Sequence, residues 1–246
     1  MSIIKTFFNP SNIVGDVDDG KYKMLGGITK MADAIVRTSG CGIYILDYFK
    51  QDVAFVSDNI AKWCGILHNE VEQGGYDVFF KYISEEDFRL LTDVNNAAFD
   101  FWKGKNEDEC MSYEISYDFR YGGFMVNQHY TPVAMQDGKI WLAMCEVSLS
   151  SQKSRGNIMM KSCNEGCCYV FSVESKQWSK VEMISLTERE KAIIRYSVQG
   201  LSSKEIGEIL LVGAETIRKQ KTALFRKLGV HSINEATQFA INNCLL

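Results

Sequence analysis

Apolar residues recur at helical spacing in four short segments in the last quarter of the chain, and capping signals mark where each segment begins. Thr187-Glu188-Arg189-Glu190 is a capping box, in which the Thr oxygen accepts from the third helical N–H and the Glu reaches back. Similar boxes begin at Ser202 and Ser232, and Gly200 and Gly229 stand where helices end. The pattern predicts four helices, at about 187–199, 203–211, 214–228 and 233–243.

The third of these helices separates apolar from cationic positions. At about 100° per residue, Ile217, Leu224 and Leu228 form one stripe that can pack on the other helices. The opposite face comprises Lys219, Thr222 and Arg226, with Arg218 on its flank. Only Glu215 interrupts the positive charge. The major groove admits a helix and displays base-edge acceptors to Arg and Lys, so this face is suited to DNA.

The charge distribution agrees with this interpretation. Residues 187–246 contain 9 Lys or Arg and 6 Asp or Glu, a net charge of +3, whereas the first 186 residues contain 18 and 25, a net charge of −7. A basic unit joined to an acidic body is typical of a DNA-binding module attached to a domain that does not bind DNA.

The first 150 residues mix helical and alternating patterns. A loosely structured arm is expected to about Leu25, followed by a helix with apolar spacing that ends at Ser39-Gly40. A hairpin is predicted at 43–47 and 53–57, and Ser84 caps a long helix that runs to Phe101. Gly122-Gly123 and Asp137-Gly138 then join three strands, predicted at 111–120, 124–133 and 140–149.

The segment 151–185 is predicted to be a linker. It begins with a polar run and contains two short strand-like stretches, Tyr169–Val173 and Trp178–Val181, around a polar turn. We expect a small hairpin that carries contact between the domains. The domain boundaries predicted are 1–39 for the arm and helix, 40–150, 151–185 and 186–246.

The C-terminal motifs resemble those of the LuxR-type (GerE-like) helix-turn-helix. The resemblance is carried by Leu186-Thr187-Glu188-Arg189-Glu190, Gly200-Leu201-Ser202-Ser203-Lys204-Glu205-Ile206-Gly207, Thr216-Ile217-Arg218 and Lys227-Leu228-Gly229-Val230. It implies a four-helix domain whose third helix enters the major groove and whose fourth often makes a dimer contact. The apolar stripe of Ile233, Ala236, Phe239 and Ala240 could supply that contact or be plain core. Two residues depart from the family: Gly213 replaces the usual capping Ser, and Gln220 stands where His is common.

The resemblance assigns roles to the basic module. Arg218, Lys219 and Thr222 are expected to read bases, while phosphate contacts are expected from Lys204, Thr216, Lys221 and Lys227. Arg226 lies on the same exposed face. The DNA-binding residues predicted are Lys204, Thr216, Arg218, Lys219, Lys221, Thr222, Arg226 and Lys227.

The order of elements over residues 40–150 resembles a PAS domain. Asp58-Asn59-Ile60, the Ile-Ser-Glu-Glu-Asp stretch and the late Phe119–Gly123 segment agree with it. The resulting fold class is α+β: a PAS-like domain with an antiparallel five-stranded sheet and helices, followed by an all-α helix-turn-helix domain.

The sequence does not decide which ligand, if any, the PAS-like domain binds. The segment after Ser57 lacks the Asn-Cys-Arg-type motif of flavin-binding versions, and for haem only His68 and His129 are available, with His129 more typical of a surface or hydrogen-bonded residue. The cofactor is therefore unknown, and the sequence favours none. A small-molecule pocket and a filled core that only dimerises are equally compatible with the sequence. The pocket residues proposed are Phe55, Trp63, Phe79, Phe88 and Trp141.

Other classes find less support. The eight cysteines are mostly isolated, and the tightest group, Cys163-x3-Cys167-Cys168, has no second pair at zinc spacing, so reduced thiols are expected. No catalytic motif is present, and we expect no enzyme activity. Asp16, Asp18 and Asp19 follow no convincing strand, which argues against a receiver domain. The aromatic pattern of an acyl-homoserine-lactone sensor is not evident.

The sequence thus predicts a cytoplasmic, homodimeric transcriptional regulator that binds double-stranded DNA. Its first residues do not resemble a signal peptide, and no membrane span is expected because no apolar stretch is long enough. A small molecule in the PAS-like domain and RNA polymerase are further partners left open. The alternative is a haem- or small-molecule-binding sensor whose main role is protein–protein interaction.

Overall fold

The computed structural model describes residues 7–8, 10–64, 70, 78, 81–162, 167–243 and 245–246. The chain forms two compact units. The N-terminal unit contains residues 1–149 and 154–182, and the C-terminal unit contains residues 150–153 and 183–246. Within the described ranges, no helix combines the length and the apolar character that crossing a bilayer requires.

The N-terminal unit combines helices with one antiparallel sheet. Its elements are α1 (Asp19–Ser39), β1 (Gly42–Asp47), β2 (Asp52–Val56), α2 (Asp58–Cys64), α3 (Glu85–Trp102), α4 (Glu107–Met111), β3 (Tyr113–Tyr121), β4 (Phe124–Gln136), β5 (Lys139–Leu149), β6 (Gly156–Ser162), β7 (Cys168–Ser172) and β8 (Gln177–Val181).

Local signals explain several boundaries. Ser84 caps α3, since its hydroxyl oxygen accepts from the Asp87 N–H. The turn between β4 and β5 places Asp137 at φ 50° and Gly138 at φ 70°, so both turn residues are left-handed, as a tight hairpin turn requires. The hairpins predicted by these signals form with their strands in the expected order.

The sheet contains eight strands among the described residues, in the order β2-β1-β5-β4-β3-β6-β7-β8, with every neighbouring pair antiparallel. The prediction of five strands is therefore wrong. The hairpin predicted after residue 168 forms as β7 and β8, but β6 was not predicted, and β6 joins this hairpin to β3. Its partners on β3 lie about forty residues earlier in the chain, a pairing that local patterning does not reveal.

The added strands pack against α3. Trp178 donates its indole N–H to the Ala97 carbonyl at 3.1 Å, and Phe101 contacts the rings of Tyr169 and Trp178 with centroid distances of 5.0 and 6.1 Å. Residues 154–182 of the predicted linker are thus part of the N-terminal unit, and both ends of the linker belong to the C-terminal unit.

The predicted loose arm is instead packed into this unit. Helix α1 begins at Asp19, capped by Asp18, well before Leu25. Upstream, Phe7, Phe8, Val14 and Val17 are buried in the main core. Asn12 pairs with both backbone groups of Ile140, each at 3.0 Å. The Asp- and Gly-rich composition indicated disorder, but the apolar side chains find partners far along the chain.

The C-terminal unit is all-helical within its described residues. It contains α5 (Glu188–Val198), α6 (Ser203–Ile209), α7 (Ala214–Leu228) and α8 (Ile233–Asn242), close to the bounds that the capping pattern predicts. Complete capping boxes start α5 and α6. At α8, Ser232 accepts from the Glu235 N–H, but the Glu235 carboxylate accepts from the His231 N–H instead of reaching Ser232. The third box is therefore only half formed.

Two glycines control the turn between α6 and α7. A Cβ on Gly207 would lie 2.6 Å from the Val212 carbonyl oxygen, a contact that backbone atoms do not allow. Gly213 caps α7 with extended backbone and no side-chain hydrogen bond, and nothing lies within 4 Å of its Cβ position. Gly207 is therefore required because a larger residue does not fit, whereas a side chain at position 213 would meet no obstacle.

Gly207→Ala is expected to destabilise the C-terminal unit by about 1–3 kcal/mol, because the turn must open to admit the methyl group. The matched control, Gly213→Ser, should stabilise it by a few tenths of a kcal/mol by adding the missing cap. All four tryptophans lie in the N-terminal unit. Urea unfolding followed by circular dichroism and by tryptophan fluorescence therefore separates the two units. Unchanged stability in Gly207→Ala would contradict the steric argument.

Candidate DNA-binding site

Helices α6 and α7 meet through a tight turn. The Val212 N–H donates to the Gly207 carbonyl at 2.8 Å, which closes the turn, and Leu211 within it takes a left-handed φ of 56° with 90% of its surface exposed. An apolar, β-carbon-bearing residue rarely adopts this conformation. Closure of the turn fixes the direction in which α7 leaves α6.

One face of α7 is buried. Ile217 is fully buried with Ile193 of α5 and Ile206 of α6. Leu224 and Leu228 are buried in a second cluster with Leu186, Ile194 and residues of α8. The predicted apolar stripe of α7 is confirmed, and it determines which residues point away from the unit.

The opposite face is exposed and cationic. Its exposed members are Thr216, Arg218, Lys219, Thr222 and Arg226. Arg218 pairs with Glu215 at 2.9 Å, and the Thr222 hydroxyl donates to the Arg218 carbonyl at 3.1 Å. Within the described part of the chain, Lys219 and Arg226 have no ion pair. These two side chains can therefore bind an anionic partner without breaking an internal contact.

Two of the predicted phosphate contacts are less available. Lys227 donates to both carboxylate oxygens of Glu190, at 3.0 and 2.8 Å. Lys221 is half-buried, and burial lowers the pKa of its ammonium group. Lys204, by contrast, is exposed in the first turn of α6.

The Glu190 carboxylate links α5 to the end of α7. Burial by itself would raise the pKa of Glu190, but hydrogen bonds from Lys227 and from the Thr187 backbone and hydroxyl outweigh it and lower that pKa. Arg189 makes a second link, donating to Gln220 at 3.3 Å. Gln220 is the residue that replaces the family's common His, so its amide connects two helices here.

The apolar stripe of α8 belongs to the unit's own core. Ala236 and Ala240 are fully buried with Leu224 and Leu228, and Ile233 and Phe239 pack against the same cluster. The core interpretation is confirmed for the two alanines, and a dimer contact through Ile233 and Phe239 stays a prediction.

A separate cavity lies inside the N-terminal unit. Its free volume is about 10 Å³, at the lower limit for one water molecule. Strands β1, β3 and β4, helix α3 and the N-terminal segment all contribute to it. The lining residues are Phe7, Leu46, Val94, Asn95, Ala98, Ile115, Tyr117, Gln128 and Tyr130.

None of the four described residues among those proposed from the sequence lines this cavity. Phe88 is buried beside Phe7, and Trp141 packs on the Tyr22 ring at 5.2 Å. Phe55 and Trp63 are half-buried at the edge of the core, and Phe79 lies outside the described residues. One signal was readable: Asn95 interrupts the apolar spacing of Leu91, Val94 and Ala98 on α3.

The histidine considered for haem is hydrogen-bonded. His129 contacts the Glu114 carboxylate through Nδ1 and the Asn127 carbonyl oxygen through Nε2, at 2.8 Å for the latter. His68 and Cys163 lie outside the described residues. Within the described ranges, no three His, Cys, Asp or Glu residues are arranged to hold a metal ion.

A comparison with protein families identifies the basic unit. Residues 184–240 match the bacterial regulatory proteins of the luxR family (GerE). The match includes the two buried clusters, the α6–α7 turn and the cationic face. Residues 184–240 are a LuxR-type helix-turn-helix domain.

Curated relatives match this chain over a similar length. Fimbriae Z protein of Salmonella typhimurium is 44% identical over 61 residues, which is 25% of this chain and 29% of that protein. The nitrate/nitrite response regulator protein homolog of Haemophilus influenzae is 43% identical over 53 residues, 22% of this chain and 26% of that protein. The chain thus spans little more than a quarter of the length of the curated relatives it matches.

Solved structures match loosely over more of the chain. The phage VqmA–DPO complex covers 91% of this chain and 90% of its own, with 13% identity and a TM-score of 0.34. The Vibrio cholerae VqmA dimer without target DNA covers 86% of each chain, with 13% identity and a TM-score of 0.30. Superpositions at these scores do not establish the fold of the N-terminal unit.

The stability of the LuxR-type domain should depend on pH through Glu190. The folded domain holds the pKa of Glu190 below the ordinary value of 4.5, so this carboxylate stabilises the fold above that pH. That contribution is lost as the pH falls through the lowered pKa. Glu190→Gln keeps a side chain that can complete the capping box. The variant should therefore lose less stability than the wild type between neutral pH and about pH 3.5.

Urea unfolding at both pH values measures this difference. Glu208→Gln is the control, since Glu208 is exposed on α6 and has no ion pair with any described residue. The control should keep the wild-type pH dependence. An equal change in both variants would show that the Lys227 contact contributes nothing.

Proposed function

We propose that this protein is a homodimeric transcriptional regulator that binds specific double-stranded DNA sequences through its LuxR-type domain. The exposed cationic face of α7 is the observation that carries the proposal. Its charged side chains stand on a helix whose other face is anchored in two buried clusters. A rigid helix of this kind can enter the major groove without first reorganising.

The side chains divide into two groups by their position and contacts. Arg218, Lys219 and Thr222 lie on consecutive turns of the exposed face, where they can reach base edges. Lys204 and Thr216 lie at the starts of α6 and α7, where phosphate contacts position such a module. Two recognition helices of a dimer would then meet successive major grooves, about 34 Å apart.

Lys227 is already engaged by a carboxylate of its own domain. A phosphate contact would have to replace the two hydrogen bonds to Glu190, which remain satisfied while DNA is absent. Lys219 and Arg226 have no such competitor, so we assign them larger contributions than Lys227.

Lys219→Ala should cost about 1–3 kcal/mol at one base pair and relax the preference there. Lys204→Ala should weaken binding to all sequences and reduce the salt slope of the logarithm of affinity by about 1. Fluorescence anisotropy on a site selected from random DNA, at several salt concentrations, measures both effects.

Lys191→Ala is the matched control, since Lys191 lies on α5 and pairs with Glu188 at 3.2 Å. It removes the same charge away from the α7 face and should leave base preference unchanged. Failure of the wild type to bind any DNA at low salt would overturn the proposed function.

For the N-terminal unit we propose a PAS-like role in sensing and dimerisation. The cavity is lined by apolar side chains together with Asn95, Gln128, Tyr117 and Tyr130, and ligand pockets likewise combine apolar walls with a few polar groups. This arrangement supports a small-molecule signal.

Helix α1 offers the surface for a second copy of the chain. One side of α1 packs on the sheet through residues such as Tyr22, Leu25 and Val36. Met24, Met31 and Ile35 form an exposed stripe beside that packed face, 59%, 67% and 36% exposed, at spacings of seven and four residues. Two such stripes can pack against each other and exclude water.

Met31→Glu should shift the protein towards monomers and weaken DNA binding, since two linked half-sites bind more tightly than one. Sedimentation velocity and anisotropy on the selected site measure the two effects. Ile13→Glu is the control: Ile13 is 69% exposed but precedes α1. A Met31→Glu protein that remains a dimer would exclude α1 as the interface.

A further inference from the structure

The N-terminal segment that contains Phe7 and Phe8 forms part of the wall of the buried cavity. Both rings are about 95% buried, with exposed fractions of 6% and 5%. Phe7 lines the cavity and packs against Phe88 at 6.4 Å, whereas Phe8 does not line it and packs edge-on against Tyr48 at 5.5 Å. We call Phe7, Phe8 and residues 10–17 the arm.

The arm also makes a polar contact with the interior, through the backbone carbonyl of Phe7. Asn95, in the middle of α3, donates its side-chain N–H to the Phe7 carbonyl oxygen at 2.5 Å. The Asn95 carbonyl oxygen accepts from the Tyr48 hydroxyl at 2.8 Å, and Tyr130 donates to Tyr48 at 3.2 Å. Among the described residues, the Phe7 carbonyl is the acceptor for the Asn95 amide donor.

A second donor borders the same cavity. The Tyr44 hydroxyl donates to the Gln128 amide oxygen at 2.6 Å, and the Gln128 N–H donates to the Tyr117 hydroxyl. Among the described residues, nothing accepts the hydroxyl hydrogen of Tyr117. Two hydrogen-bond donors beside a cavity are unusual for a purely apolar core, because burying a donor without an acceptor costs free energy of folding.

The arm contains little regular secondary structure. Apart from a single 3-10 turn at Pro10–Asn12, it contains no helix or strand before α1 within the described residues. Asn12 and Ser11 hold it to β5, through Ile140 and Lys139. Such a segment can leave the core without breaking the sheet, since local opening is easiest where backbone hydrogen bonds are few.

From this geometry we infer that Phe7 is a built-in occupant of a ligand site. Its ring and carbonyl oxygen hold the place of a small aromatic molecule that carries a hydrogen-bond acceptor. Such a ligand accepts from Asn95 after Phe7 leaves, and Tyr117 offers it a second donor. The inference rests on the proposed sensing role and adds its regulation: the ligand competes with the protein's own arm.

Competition by the arm sets the apparent affinity. If the arm occupies the site most of the time, the apparent Kd is the intrinsic Kd divided by the fraction of molecules with an open site. Removing the Phe7 ring should therefore increase affinity without any change in the remaining pocket residues. It also leaves an apolar cavity, and engineered cavities of about 150 Å³ bind benzene.

The test uses acetophenone, which has an aromatic ring and a ketone oxygen, and ethylbenzene, which has a similar shape and no acceptor. Titration calorimetry measures both probes with the full chain. Phe7→Ala should bind acetophenone one to one, with a Kd at least tenfold lower than the wild type. It should also prefer acetophenone to ethylbenzene.

Phe8→Ala is the matched control. It removes an equally buried ring that does not line the cavity, so its affinity for acetophenone should stay within twofold of the wild type. Equal gains in both variants, or no gain in Phe7→Ala, would overturn the inference. Phe7→Leu covers the case in which the Ala variant does not fold: it retains an apolar side chain and should give a smaller gain in the same direction.

Asn95→Leu, combined with Phe7→Ala, tests the hydrogen bond. The double variant should lose the preference for acetophenone over ethylbenzene while it still binds both. A preference that persists would show that Asn95 does not recognise the acceptor.

DNA affinity, measured on the same samples, separates this inference from the proposed function. Suppose that Phe7→Ala binds acetophenone but its affinity for DNA does not change. Blocking of the site by the arm would then be supported, whereas the proposed sensing role would fail. If no sample binds DNA, the regulatory function fails independently of the arm.

Discussion

Burial of Ile217 against Ile193 and Ile206 is the contact on which the orientation of helix α7 depends. One fully buried side chain from each of three helices meets at this point, and the tight α6–α7 turn leaves no freedom to rotate around it. Because the helix is anchored on this side, Lys219, Thr222 and Arg226 must point to solvent. The chemistry of the exposed face follows from the packing of the opposite one.

The N-terminal unit obeys a different constraint. Its sheet buries a connected set of hydroxyl and amide groups, which includes Tyr48, Asn95 and Tyr130, and each must find a partner inside the core. The arm completes this set through the Phe7 carbonyl. Buried contacts therefore have different consequences in the two units. In the C-terminal unit they orient the cationic face of α7, and in the N-terminal unit they surround the small cavity with polar groups.

Local signals in the sequence were sufficient for the helices and hairpins. Capping residues act within four positions of the helix they start, and turn residues act within a hairpin, so Thr187, Ser202, Ser84 and Asp137-Gly138 identified their elements correctly. Strand β6 was missed because one of its two partners, β3, lies some forty residues earlier in the chain. The residues that line the cavity could not be predicted for the same reason, since large aromatic residues mark a core without showing which of them border a space.

The sequence by itself determined the LuxR-type domain: its four helices, its buried stripe and the cationic face on α7 are all encoded in periodicity and in short-range hydrogen bonds. Only the tertiary structure decided that Lys227 is held by Glu190, thirty-seven residues away, and that Asn95 binds the arm, eighty-eight residues away. Contacts between residues so far apart in the sequence form only when the tertiary fold brings their elements together. For that reason the sequence indicated which residues carry charge, and the fold determined which of them are available.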